Sequence, residues 1–120
     1  MGLDQYAVAV MPNRENTDLS MAGEATEIAC WRKHPNLQGW MEALYRSKGG
    51  EGGFNCDPVR VSFQDLRNLE DAVNEESLPT TDGFFFGESG PEDKADDLAF
   101  IAKAREAIAM DMEIYYYSWW

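Results

Sequence analysis

Four consecutive residues, Trp31-Arg32-Lys33-His34, form the most suggestive chemical group in the sequence. They supply two of the ten lysines and arginines and the only histidine of a chain whose formal net charge is −12. Pro35 follows, and proline suits the first turn of a helix, whose N-terminus attracts anions. This pattern predicts an anionic, nucleotide-like ligand held by Arg32 and Lys33, with Trp31 as a stacking platform and His34 beside it. The structural alternative, which the surplus of carboxylates favours, is that both cations pair with acidic side chains while Trp31 lies in the core.

A second group is the run Phe84-Phe85-Phe86, which glycines flank on both sides. Proteins with a charged surface rarely expose three neighbouring phenylalanines, so burial of most of the run is the expected structural role. Side chains of an extended segment alternate between two faces, so at least one ring should point outward. That ring is predicted to be a contact for a protein partner.

Metal binding and catalysis are not predicted. Cys30, His34 and Cys56 follow no common zinc-site spacing, and the two cysteines are typical of reduced cytosolic thiols, with Cys30 expected in the core. No nucleophile is placed beside His34, and the carboxylates are too numerous to nominate a catalytic pair. The sequence therefore favours a protein without metal, cofactor or catalytic residues, although an enzyme remains an alternative.

Composition sets the class of protein. A chain of 120 residues with 44% hydrophobic content is expected to form one domain, residues 1–120. Acidic side chains outnumber basic ones 22 to 10, which disfavours direct binding to nucleic acid, because that binding depends on lysines and arginines. No apolar run approaches the roughly 20 residues of a membrane span, and the N-terminus has no secretory signal pattern. These features predict a soluble, cytoplasmic protein.

The elements that position these groups follow from hydrophobic periodicity, which predicts an α+β fold with a small sheet and three helices. Pro35 indicates that the preceding segment, which also fits a helix, ends as a strand. Ser62 and Asp65 match a capping box at the start of the second helix, whose inward residues are predicted to be Phe63, Leu66, Leu69 and Val73. The predicted strands span about residues 5–11, 26–32, 59–61 and 112–119, and the helices about 35–48, 63–76 and 91–109.

The C-terminal segment is predicted to be a strand inside the fold. Ile114, Tyr116 and Ser118 fall on one face by the two-residue period, and Tyr115, Tyr117 and Trp119 fall on the other. Because both sets contain large side chains, we expect both faces to be covered. The strand at 5–11 is its expected neighbour, so both chain ends would meet in one sheet.

Several blocks together resemble a family of small bacteriophage proteins of unknown function. These blocks are Gly2-Leu3-Asp4, Trp31-Arg32-Lys33, Leu78-Pro79-Thr80 with Gly83-Phe84-Phe85-Phe86-Gly87, and Tyr116-Tyr117-Ser118-Trp119. Some relatives carry the label phosphoglycerate kinase. That enzyme consists of two large domains with a nucleotide site, for which this chain has no room, and the chain has no glycine-rich loop ending in lysine.

The resemblance implies a phage-encoded protein that acts in the host cytoplasm. With its small size, acidity and aromatic content, the leading hypothesis is an accessory protein that binds a host or phage protein. One alternative is a binder of, or enzyme for, an anionic small molecule at Trp31, Arg32, Lys33 and His34. Another is a minor component of the virion.

Overall fold

Alternating apolar residues and well-placed helix signals divide the described part of the chain into four strands and three helices, as predicted. The computed structural model describes residues 3–11, 25–54, 57–79 and 93–119. In chain order the elements are β1 (Asp4–Val10), β2 (Ala25–Arg32), α1 (Pro35–Ser47), β3 (Val59–Val61), α2 (Phe63–Asn74), α3 (Asp93–Ala109) and β4 (Glu113–Trp119). The predicted α+β class is confirmed, and each boundary lies within about two residues of its expected position.

The strands form one antiparallel sheet in the order β2-β1-β4-β3. β4 pairs along its whole length with β1, from Asp4 opposite Trp119 to Val10 opposite Glu113. The predicted meeting of the two chain ends in one sheet is therefore confirmed. β4 also pairs with β3, so the aromatic C-terminal strand is central and β2 lies at an edge.

The three described helices pack against one face of this sheet, which we call the inner face. Ala7 and Ala9 of β1 are almost fully buried there, and because their side chains are small the helices can approach closely. The apolar core on this side joins residues from all seven elements, among them Ala7, Trp31, Leu37, Met41, Val59, Val61, Leu66, Leu69, Phe100, Ile101, Ile114 and Tyr116.

The predicted capping box of α2 is confirmed. The backbone N–H of Asp65 donates to Ser62 Oγ at 3.1 Å, and the backbone N–H of Ser62 donates to Asp65 Oδ2 at 2.9 Å. The inward prediction for Phe63 is wrong, since this side chain is 51% exposed. At 3.6 residues per turn, Phe63 lies about 90° from the centre of the stripe formed by Leu66, Leu69 and Val73.

Two other expectations about burial are wrong. Cys30 is exposed rather than in the core, because it lies opposite Tyr6 on the face of the sheet away from the helices. Trp119 is 65% exposed, so the last strand is not covered completely on both faces. The predicted alternation along β4 is nevertheless correct, with Ile114, Tyr116 and Ser118 buried on the inner face.

The glycine-rich connector after α1 places a large ring beside β4. Phe54 is fully buried, and its ring stacks on Tyr45 at 4.7 Å between centroids and on Tyr116 at 6.1 Å. Gly50 lies against the Tyr45 ring, where an added Cβ would come within 2.5 Å of the ring carbons. A side chain at position 50 would therefore displace Tyr45 from this stack.

Deletion of residues 115–120 should unfold the protein. The deletion removes most of the central strand and five large aromatic side chains, including the fully buried Tyr116. We expect loss of the cooperative thermal transition and of the far-ultraviolet circular dichroism of the full chain. A truncated protein with unchanged melting would instead mean that this segment serves binding rather than folding.

Candidate functional site

A buried pair of ionisable side chains lies where β2 turns into α1. His34 is the residue immediately before α1, and Asp97 lies in α3. Nε2 of His34 is 2.9 Å from Oδ2 of Asp97, and the two side chains are only 3% and 2% exposed. Asp97 Oδ1 also accepts a hydrogen bond from the indole N–H of Trp31 at 2.9 Å. The pair therefore ties the end of the sheet's edge strand to α3.

Asp93 adds a second carboxylate to this pair. Its Oδ2 lies 3.6 Å from Nδ1 of His34, because Asp93 and Asp97 are four residues apart and share one face of α3. Burial raises the pKa of Asp97 above its usual value of 3.8, although the hydrogen bonds from His34 and Trp31 oppose this effect. The acidic start of α3, which the helix dipole favours, thus also surrounds the only histidine.

Gln5 continues the network on the other side of His34. Its amide brackets the His34 backbone, accepting from the N–H at 2.9 Å and donating to the carbonyl at 3.0 Å. The Gln5 Nε2 group also donates to the Tyr116 hydroxyl at 2.9 Å. The Tyr116 hydroxyl in turn donates to Gln38 Oε1 at 2.6 Å. Burial raises the pKa of Tyr116, which keeps its hydroxyl a donor. Side chains from β1, β2, α1, α3 and β4 therefore meet in one chain of hydrogen bonds, which we call the buried polar network.

The buried polar network is suited to positioning rather than to reaction. An imidazole beside a carboxylate is a general-base arrangement in chemical terms, but the side chains of His34 and Asp97 are almost fully enclosed. Among the described residues, the only enclosed side-chain polar atom without a partner is Nε of Arg105, which lies outside the network. A fully satisfied network of this kind makes the interior rigid and specific.

The predicted anion-binding group is split between the interior and the surface. Trp31 and His34 point into the fold and are paired with Asp97, as the structural alternative for Trp31 expected. Arg32 and Lys33 are exposed, and Arg32 Nε is 3.9 Å from Asp4 Oδ1. Only these two cations are open to a ligand, so the hypothesis of an anion site stays a prediction that rests on Arg32 and Lys33 alone. Phe84, Phe85 and Phe86 lie outside the described residues.

The face of the sheet away from the helices carries an aromatic surface that sequence reasoning did not single out. Strand pairing aligns Arg32, Asp4 and Trp119 in one row across β2, β1 and β4, and it aligns Cys30, Tyr6 and Tyr117 in the next row. The rings of Tyr6 and Tyr117 stack with centroids 5.2 Å apart. We call Tyr6, Tyr117, Trp119 and Arg32 the outer aromatic face.

The outer aromatic face has the composition of a protein-binding hot spot. Trp, Tyr and Arg are the residue types that contribute most to protein interfaces, and Trp119 is largely open to solvent. Val8 and Val10 lie further along the same face, where they pack with Tyr115 and Tyr117. Tyr117 therefore packs on these valines as well as on Tyr6, and these contacts restrict its ring before any partner arrives.

No protein-family model matches the chain, and neither a curated protein nor a solved structure shows significant similarity to it. Among the described residues, no helix combines the length and the apolar character that a membrane span requires. The function must therefore be argued from the surfaces described above.

Tyr116→Phe should reduce stability through the buried polar network. The substitution removes the donor to the buried Gln38 Oε1 and one of the two acceptors of Gln5 Nε2, so we expect the free energy of unfolding to fall by about 1–3 kcal/mol in urea titrations. Tyr115→Phe is the matched control, because the Tyr115 hydroxyl binds Glu113 near the surface and its loss should cost about 0.5 kcal/mol. Equal losses in both variants would contradict a special role for the network.

Asp97→Asn should change how stability depends on pH. Because burial raises the folded-state pKa of Asp97, the folded state retains a proton that the unfolded state loses above about pH 3.8. As pH rises from that value through the raised pKa, the wild type should lose stability relative to Asp97→Asn. Urea titrations of both proteins over this range measure the difference. If the wild type instead gained stability relative to Asp97→Asn as pH rises, His34 would stabilise the ionised Asp97 by more than burial destabilises it.

Proposed function

We propose that this protein is a phage-encoded accessory protein that acts in the host cytoplasm by binding a host or phage protein through the outer aromatic face. The observation that carries the proposal is Trp119, which is 65% exposed on a central strand beside the stacked Tyr6 and Tyr117. Burial of such a ring at an interface removes a large apolar area from water, which favours association. The sequence resemblance supports the phage origin.

Charge narrows the chemistry of the partner. The net charge is −12, and residues 61–120 hold 14 acidic and 4 basic side chains against 8 and 6 in residues 1–60. A field of this sign speeds encounters with a basic surface and opposes encounters with nucleic acid. The partner proposed is therefore a protein that offers an apolar patch for Trp119 and the tyrosines, with lysines and arginines around it.

The mixed polarity of the face supports a protein partner over a lipid surface. Arg32 and Asp4 flank Trp119 in the same cross-strand row, and both charges remain at least 43% exposed. An apolar centre with a charged, solvated rim is the usual anatomy of a protein interface. The rim charges would contribute mainly to orientation and rate of binding, and the aromatic centre to affinity.

Trp119→Ala should weaken partner capture by about tenfold or more, the effect of removing a hot-spot tryptophan. The measurement is affinity purification with the tagged full chain from phage-infected cells, followed by titration of the recovered partner with purified variants. The matched control is Met110→Ala, which removes an equally open apolar side chain, 70% exposed, from the turn after α3. Both variants should melt like the wild type.

Four results would count against the proposal. Recovery of no partner above background in low salt would remove its basis, and equal weakening by both variants would move the interface elsewhere. Stabilisation by a phosphate compound that is lost in Arg32→Ala and Lys33→Ala would favour the small-molecule alternative. Stoichiometric presence of the protein in purified particles would favour a virion component.

A further inference from the structure

A groove runs along the free edge of the sheet, between β2 and α3. Its volume is about 210 Å³, and it is lined by residues 28–31 of β2 and by one stripe of α3 that includes Asp96, Ala99, Phe100 and Lys103. Ala99 lies in the middle of this stripe, where its small side chain leaves the space open. The groove is smaller than a typical pocket for a drug-sized ligand, which is at least about 300 Å³.

The strand wall of the groove offers main-chain groups as well as side chains. β2 pairs with β1 on one side only, and among the described strands none pairs with its other edge. The unpaired N–H and C=O groups of an edge strand are a template for another extended chain. A helix beside such an edge is the arrangement by which peptide-binding domains accept an added strand.

A β-bulge shapes this edge. The register with β1 shifts between Ala7 and Val8, so Ile28 is the extra residue between Ala29 and Glu27. Ala29 faces inward and Glu27 faces outward, and the bulge allows Ile28 to pack on the main core beside Ala29 rather than turn to the outer face. Bulges often redirect side chains next to binding sites, and here Ile28 becomes part of the groove lining.

We infer that this groove binds an extended segment of a partner protein, which adds to β2 as a fifth strand and places one apolar side chain against Ala99. The segment carries net positive charge, because the whole chain carries a net charge of −12 and attracts basic segments at long range, whereas Asp96 and Lys103 within the groove balance each other. A second copy of this chain fits less well, because each copy carries a net charge of −12 and the two would repel.

The groove is separate from the outer aromatic face. Its helix wall is α3, which lies on the inner side of the sheet, whereas Trp119 points to the other side from β4. The inference therefore does not depend on the proposed function, although one partner could use both surfaces. Variants of the two surfaces can be tested independently.

The probe is a displayed library of random peptides selected against the intact protein. Selected peptides should be basic and extended, with one large apolar residue. Their binding should slow hydrogen exchange at those amides of residues 28–31 that point away from β1. N-methylation of every second peptide amide should abolish binding when the methylated amides are those that face β2, and should be tolerated when they are the others. Methylation removes the main-chain hydrogen bonds and keeps the side chains.

Ala99→Trp should fill the groove and weaken peptide binding by about tenfold or more. Ala102→Trp is the matched control, since it places the same side chain at another exposed alanine of α3 that does not line the groove. Trp119→Ala should leave peptide binding unchanged, which separates this site from the outer aromatic face.

Four outcomes would overturn the inference. The first is that no peptide is selected, and the second is that peptides bind Ala99→Trp as tightly as the wild type. The third is slow hydrogen exchange at all four amides of residues 28–31 in the free protein, which would mean that another part of the chain covers the edge. The fourth is sedimentation that shows a dimer dissociated by Ala99→Trp, which would make a second copy of the chain the occupant.

Discussion

The contact between His34 and Asp97 is the constraint on which the rest of the structure depends. Two ionisable side chains are removed from water together, and such burial is tolerated only when each polar atom has a partner. The partners come from every element that borders the pair: Trp31 from β2, Gln5 from β1, and Tyr116 from β4 through Gln5. Loss of any one would leave a buried polar group unsatisfied, so the network sets one relative position for the sheet, α1 and α3.

The described helices all pack on one face of the sheet, and the large side chains of the central strands divide between its two faces. The polar network occupies one end of the inner face, and small alanines on β1 allow the helices to close over the remainder of it. The large side chains of β1 and β4 that do not fit there, Tyr6, Tyr117 and Trp119, lie on the opposite face. The rings of the outer aromatic face thus lie on the same central strands, β1 and β4, that carry core residues on their inner face. The core and the proposed binding surface share β4 but use its two faces.

Local sequence signals predicted most of the fold correctly because they depend on contacts between near neighbours. Pro35 marks the start of α1, and Ser62 and Asp65 cap α2, through interactions within a few residues. The alternation along β4 likewise follows from the geometry of an extended chain. Phe63 and Cys30 were placed wrongly because a periodic pattern shows which residues share a face but gives little guidance at the end of a helix or the edge of a sheet.

The sequence by itself determined the elements of this protein, its acidity and the alternation of its C-terminal strand, since each follows from residue types and their local spacing. Only the tertiary structure decided which face of the sheet the helices cover. It also decided that Asp97, 63 residues away along the chain, is the partner of His34. The pairing of His34 with Asp97 depends on packing between segments that are distant along the chain. Such packing must bury the side chains and satisfy their hydrogen bonds at the same time. The same packing placed Trp31 and His34 in the interior.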